Sequence, residues 1–93
     1  MCLDSTKQGY SFLKSLCQAG EDGLPHEDIV ANMKELCSVQ FGSDHYATAP
    51  RPLMKMIGQS AQAHSIAVSP AGFWAITEIG KRRLNVLEAL VRQ

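Results

Sequence analysis

Residues 64–84, HSIAVSPAGFWAITEIGKRRL, constrain this chain more than any other stretch. Ile66 and Val68 flank Ala67 with a period of two, the pattern of a short strand with one buried face. The next four residues, Ser69, Pro70, Ala71 and Gly72, are turn formers, since Pro presets φ and Gly reaches positive φ. Phe73 to Thr77 is rich in aromatic and β-branched residues and reads as the return strand. Trp74 and Ile76 have one parity, so they are expected to share a face and to meet Ile66 and Val68 over the helices. Thr77 then suits a helix N-cap, with Glu78 where the helix dipole favours negative charge. The segment reads as hairpin, cap, helix.

Upstream, the hydrophobic spacing is helical. Ser5 and Gln8 fit a capping box, and Tyr10, Leu13, Leu16 and Cys17, widened by Phe12, give an amphipathic helix over about residues 6–19. Gly20 stands where a helix terminator belongs. Leu24 precedes Pro25 and is therefore held extended. A second helix is expected over about 25–38, burying Ile29, Val30, Met33, Leu36 and Cys37. Residues 38–48 read as a polar loop from which Phe41 and Tyr46 tuck back onto the core. Pro50 and Pro52 open a third helix, where missing N–H groups cost nothing. Its apolar face is Leu53, Ile57, Ala61 and His64, with Met56 beside them, and its other face carries Arg51, Lys55, Gln59 and Gln62. Gly58 lowers helix propensity, so a packing reason or a local irregularity is expected there. A last helix over about 78–91 sets Leu84, Leu87 and Val91 on one stripe and Ile79, Val86 and Leu90 beside it. That apolar surface is wider than one small core requires.

Ninety-three residues with 45% apolar and 19% charged side chains make one globular domain over 1–93. Nine basic and nine acidic residues cancel, so any positive field must come from how the charges are distributed. The N-terminus has an acid near its start and no uninterrupted apolar run, and no stretch approaches the roughly 20 apolar residues of a membrane span. Cys2, Cys17 and Cys37 are odd in number and lack a CxxC, which reads as free thiols in a reducing cytoplasm. His26, His45 and His64 share no ligand spacing with each other or with the cysteines, so neither metal nor cofactor is expected. No nucleophile–base–orienter set and no phosphate-cradling glycine loop is visible, and the turn at Ser69 lacks the G-x-S-x-G spacing; an enzyme is not expected.

Three helices, a hairpin and a C-terminal helix follow one another as in a winged helix-turn-helix domain. The run from Gly72 through Trp74, Ile76, Thr77 and Gly80 to Leu84 resembles the G-x-[YW]-x-[IL]-T-x-x-G-x-x-x-L run that closes the wing in the N-terminal domain of Mrr-type restriction proteins and in MarR and PadR regulators. Leu24 to Val30 is similar to the start of their second helix. The resemblance implies an α+β fold, a three-helix bundle with a two-stranded β-hairpin wing and a C-terminal helix. It also implies a third helix that enters the major groove of double-stranded DNA. On this chain Arg51 and Lys55 would then meet phosphates or guanine edges, and Gln59 and Gln62 would read adenine. Ser60 and His64 are secondary candidates, and Lys81, Arg82 and Arg83 would grip phosphate. The wing tip departs from the pattern in carrying no Arg or Lys.

The leading expectation is a cytoplasmic DNA-binding protein, a transcriptional regulator or restriction-like specificity module. It would act as a homodimer through Leu87, Leu90 and Val91 of the last helix. The alternative is a winged helix turned protein-interaction module, an adaptor or inhibitor of a nucleic-acid-handling partner, which the neutral charge and surplus apolar surface favour.

Overall fold

Residues 3–47 and 49–92 are described by a computed structural model, residues 3–5 as backbone only. They form an α+β fold in the order α1 (Leu3–Ala19), α2 (His26–Phe41), α3 (Pro50–Gln62), β1 (Ile66–Val68), β2 (Trp74–Ile76) and α4 (Glu78–Arg92). Helix α1 is the centre. Tyr10, Phe12, Leu13 and Leu16 are at most 4% exposed, and Ser11 and Ser15 are buried with them, because α2 and α4 both pack on this helix. Complete burial of a side chain such as Phe12 contributes about 2–3 kcal/mol. The core continues through Ile29, Met33, Leu36 and Cys37 of α2, Leu53 and Ile57 of α3, Ile66, and Leu84 and Leu87 of α4.

Two helix boundaries differ from those expected. Helix α1 begins at Leu3, upstream of Ser5, so Ser5 lies inside the helix rather than at its cap; its side chain, like Cys2 and Thr48, lies outside the described residues. Helix α2 runs three residues past 38 to Phe41, since Ser38 is no stop. The stop is Gly42, which takes φ 72° and returns its N–H to the Ser38 carbonyl at 3.1 Å. Phe41 and Tyr46 do fold back. Their rings meet edge to face at 5.5 Å, and the Lys7 ammonium sits 4.3 Å from the Tyr46 centroid and 5.2 Å from that of Phe41.

The hairpin pairs Ile66 with Ile76 and Val68 with Trp74. Its turn has the expected chemistry: the Ser69 carbonyl accepts the Gly72 N–H at 2.9 Å, and the Ser69 hydroxyl accepts the Phe73 N–H at 3.2 Å. Burial is uneven along it. Ile66 is buried and Ile76 and Trp74 are half-buried against the core, but Val68 is 51% exposed. The expectation that Val68 joins the inner face fails: its partner Trp74 packs on the core and is bridged by Leu24 on its other side, whereas Val68 lies on the outer strand β1 and is left uncovered.

A pairing far apart in sequence anchors the hairpin's other edge. Leu24 exchanges two 2.8 Å hydrogen bonds with Trp74, N–H to carbonyl in both directions, as an isolated antiparallel bridge. Gly23 makes this approach possible: it has φ 76°, and any Cβ there would overlap the Trp74 carbonyl.

The junction of α3, β1 and α4 is tied by Thr77. Its hydroxyl accepts the Gly80 N–H at 3.1 Å, the expected N-cap bond, and donates to the carbonyl of His64. His64 has φ 61° and is exposed, so it terminates α3 instead of extending the apolar face. At Gly58 neither expectation holds. Helix α3 is uninterrupted, and an added Cβ would meet nothing within 4 Å. Gly58→Ala should therefore stabilise the fold by about 1 kcal/mol. A melting temperature raised by roughly 4–8 °C in a thermal scan checks it.

Candidate nucleic-acid interface on α3

Helix α3 is held from one side only. Leu53 and Ile57, 0% and 7% exposed, fix its inner face to the core, with Met56 and Ala61 half-buried at the edge. Arg51, Lys55, Gln59 and Gln62 are all exposed. At 3.6 residues per turn these four side chains fall within about 80° of arc, and the first and last stand roughly 16 Å apart along the axis. Neither Arg51 nor Lys55 forms an ion pair among the described residues. Two cations therefore stand uncompensated on the first half of the face, and two primary amides on the second.

Helix α4 brings one further cation to this face. Arg83 and Gln59 line the same cleft, between α1, α3 and α4, so the polar track of α3 continues onto α4 at its C-terminal end. Lys81, Arg82 and Arg83 are exposed as expected of a basic cluster, but not equivalent. Lys81 lies 3.8 Å from the Glu78 carboxylate, which offsets part of its charge, whereas Arg82 and Arg83 have no acidic partner among the described residues. Ser60, half-buried, turns into the cleft. The cleft itself is not visible in the sequence, because three separate elements build it.

The residues named for a dimer contact divide. Leu87 is 8% exposed and belongs to this chain's own core, where its Cδ1 lies against Gly9 of α1; that corrects its assignment to an interface. Val91 is half-buried on the same core. Leu90 is 43% exposed, and the outward apolar stripe of α4 is Ile79, Val86 and Leu90. The rotation of α4 against α1 decides this, and sequence periodicity cannot fix that rotation.

Among the described residues, no three His, Cys, Asp or Glu side chains come together in a way that could hold a metal ion. Cys17 and Cys37 are unpaired. Burial pushes the Cys37 thiol above the ordinary thiol range, with a lowering from the Ser11 hydroxyl and a further raising by Asp44. At neutral pH it is a protonated packing residue. No described helix is long and apolar enough to cross a membrane. Comparison of the chain with models of protein families, with curated proteins and with solved structures finds no match.

Proposed function

We propose that the chain is a winged helix-turn-helix protein that binds double-stranded DNA by laying α3 in the major groove. One observation carries this reading: Arg51, Lys55, Gln59 and Gln62 form a single exposed, acid-free face on a helix whose opposite face is locked into the core. The Leu24–Trp74 bridge supports the fold assignment, since it supplies the third edge against which a wing is built. Gly58 adds a second support. It lies beside Arg51 and Gln62 on the exposed side of the helix, with open space where a Cβ would stand, a position at which an external backbone could approach closely. Arg51 and Lys55 neutralise phosphates, Gln59 and Gln62 meet base edges, and Arg82 and Arg83 hold the flanking backbone. The uncharged hairpin tip takes no part in groove insertion. Such a protein serves in the cytoplasm as a transcriptional regulator or as the specificity module of a restriction-like system. The test is a salt titration of binding to duplex DNA: log affinity should fall linearly with log salt. Absence of binding even at low ionic strength would remove the reading.

A homodimer doubles the contacts of one short reading helix, and Ile79, Val86 and Leu90 give α4 the surface for it. Val86→Glu and Leu90→Glu should each yield monomers that melt near the parent temperature. Leu87→Ala, by contrast, should lose about 2–5 kcal/mol of stability, as core truncations do. Sedimentation velocity beside thermal melts checks the pair; a wild-type monomer at every concentration would exclude the dimer.

The second reading, a protein-interaction module that acts as adaptor or inhibitor, is favoured by a different observation. Val68 and Phe73, 51% and 39% exposed, flank an uncharged hairpin tip that offers apolar surface rather than phosphate-binding charge.

A further inference from the structure

The outward face of α3 carries two features that its charges do not account for, and they adjoin. Met54 is 64% exposed, the large apolar side chain that α3 turns to solvent among the described residues. Gly58 follows one turn later, with open space where its Cβ would stand. Met54 and Lys55 precede it at spacings of four and three, and Gln62 follows at four, so these exposed side chains surround it on the helix surface. Helical side chains lean toward the N-terminus, so a side chain at 58 would cover the surface between Met54 and Lys55. Glycine leaves that surface bare. The result is a shallow notch floored by backbone, with the Met54 thioether on one side, the aliphatic stem of Lys55 on the other and the Gln62 amide at its end.

We infer that this notch receives the C5 methyl group of thymine, which makes Met54 and Gly58 determinants of a preference for A·T pairs; the inference rests on the DNA-binding reading above. Thymine presents the one methyl group among the donors and acceptors on the major-groove edges of the base pairs. A methyl fits a notch that the absence of a single side chain creates, and the flexible, polarisable thioether moulds to it. Cytosine would instead set its N4 amino group against the thioether and the Lys55 stem, where that donor loses a water partner and gains none. Gln62 fixes the choice of pair, since its amide matches the N6 and N7 groups of adenine, thymine's own partner. Arg51 and the Lys55 ammonium, on phosphates, set the depth at which the helix sits. A solitary exposed methionine is common on protein surfaces; the open position beside it and the amide at its end are what fit this one to a base pair.

The test removes the methyl group and leaves the pairing and the phosphates as they are. Two alternating duplexes of about 24 base pairs, more than two helical turns, serve as probes: adenine with thymine, and adenine with uracil. In fluorescence anisotropy titrations at one salt concentration, the full chain should bind the thymine duplex about three- to fivefold more tightly, the effect of burying one methyl-sized group. Met54→Ala should lower the affinity for the thymine duplex to that for the uracil duplex, with the salt slope of the parent chain. Met54→Leu, apolar and of similar volume, should keep the preference. Gly58→Ala fills the notch from below and should abolish the preference in a chain that melts no lower than the parent. Equal binding of the two duplexes by the parent chain, or a thymine preference that survives in Met54→Ala, would overturn the notch and leave the DNA-binding reading standing. Binding to neither duplex at low ionic strength would remove both.

Discussion

Gly80→Ala is expected to lose about 3 kcal/mol of stability, a large share of what a domain of this size has to lose. A Cβ at this position would overlap the backbone carbonyl of Ser65 and crowd Cγ1 of Ile76. The side chain of Ile76 could turn aside. The carbonyl cannot, because it accepts the Thr77 N–H at 3.0 Å, and Thr77 in turn caps α4 and holds the carbonyl of His64. The added methyl therefore separates α4 from the end of α3 or breaks the capping bonds, and either outcome exposes backbone groups now paired inside the junction. Denaturant unfolding measures the loss. Thr77→Ala, which removes the cap and leaves the space, should cost only about 1 kcal/mol. If the two variants proved equal, close approach at Gly80 would not be what holds the junction.

That junction is legible in the sequence because its determinants are local. Period-two hydrophobicity at Ile66, a Ser-Pro-Ala-Gly turn and a Thr three residues before Gly80 each act within a few positions. The four outward residues of α3 are legible for the same reason, since helical periodicity assigns faces without knowledge of partners. Legibility ends where a second element decides. Val68 has the parity of Ile66 yet is exposed while its partner Trp74 packs on the core, because what covers each strand of the hairpin comes from elements distant in sequence. Leu87 and Leu90 are chemically identical, and the packing angle of α4 on α1 sends one into the core and the other outward. Helix α3 ends before His64 because a histidine takes the left-handed conformation that Gly or Asn more often supplies. The cleft draws on three helices, and no single window of sequence contains it.

On the proposed DNA-binding reading, the charge on α3 should yield the largest functional effect. Arg51→Ala with Lys55→Ala removes both uncompensated cations of the reading face, and each phosphate that is no longer neutralised should make the salt slope shallower by about 1. The double variant should thus show a slope shallower by about 2 and an affinity about tenfold or more lower at moderate salt. Both residues are exposed and without ion pairs among the described residues, so stability should be close to that of the parent chain. Loss of affinity without a change of slope would mean that the cations act on the protein and not on DNA. A neutral substitution sharpens the point. Gly58→Gln leaves charge untouched and meets open space within the chain, yet sets a long side chain between α3 and whatever approaches it. If α3 enters the groove, Gly58→Gln should bind DNA several-fold more weakly with the parent salt slope, separating steric exclusion from electrostatics. If Gly58→Gln and the double variant both bound as the parent does, α3 would not be the reader, and the apolar surface of the hairpin and α4 would become the working face of the molecule.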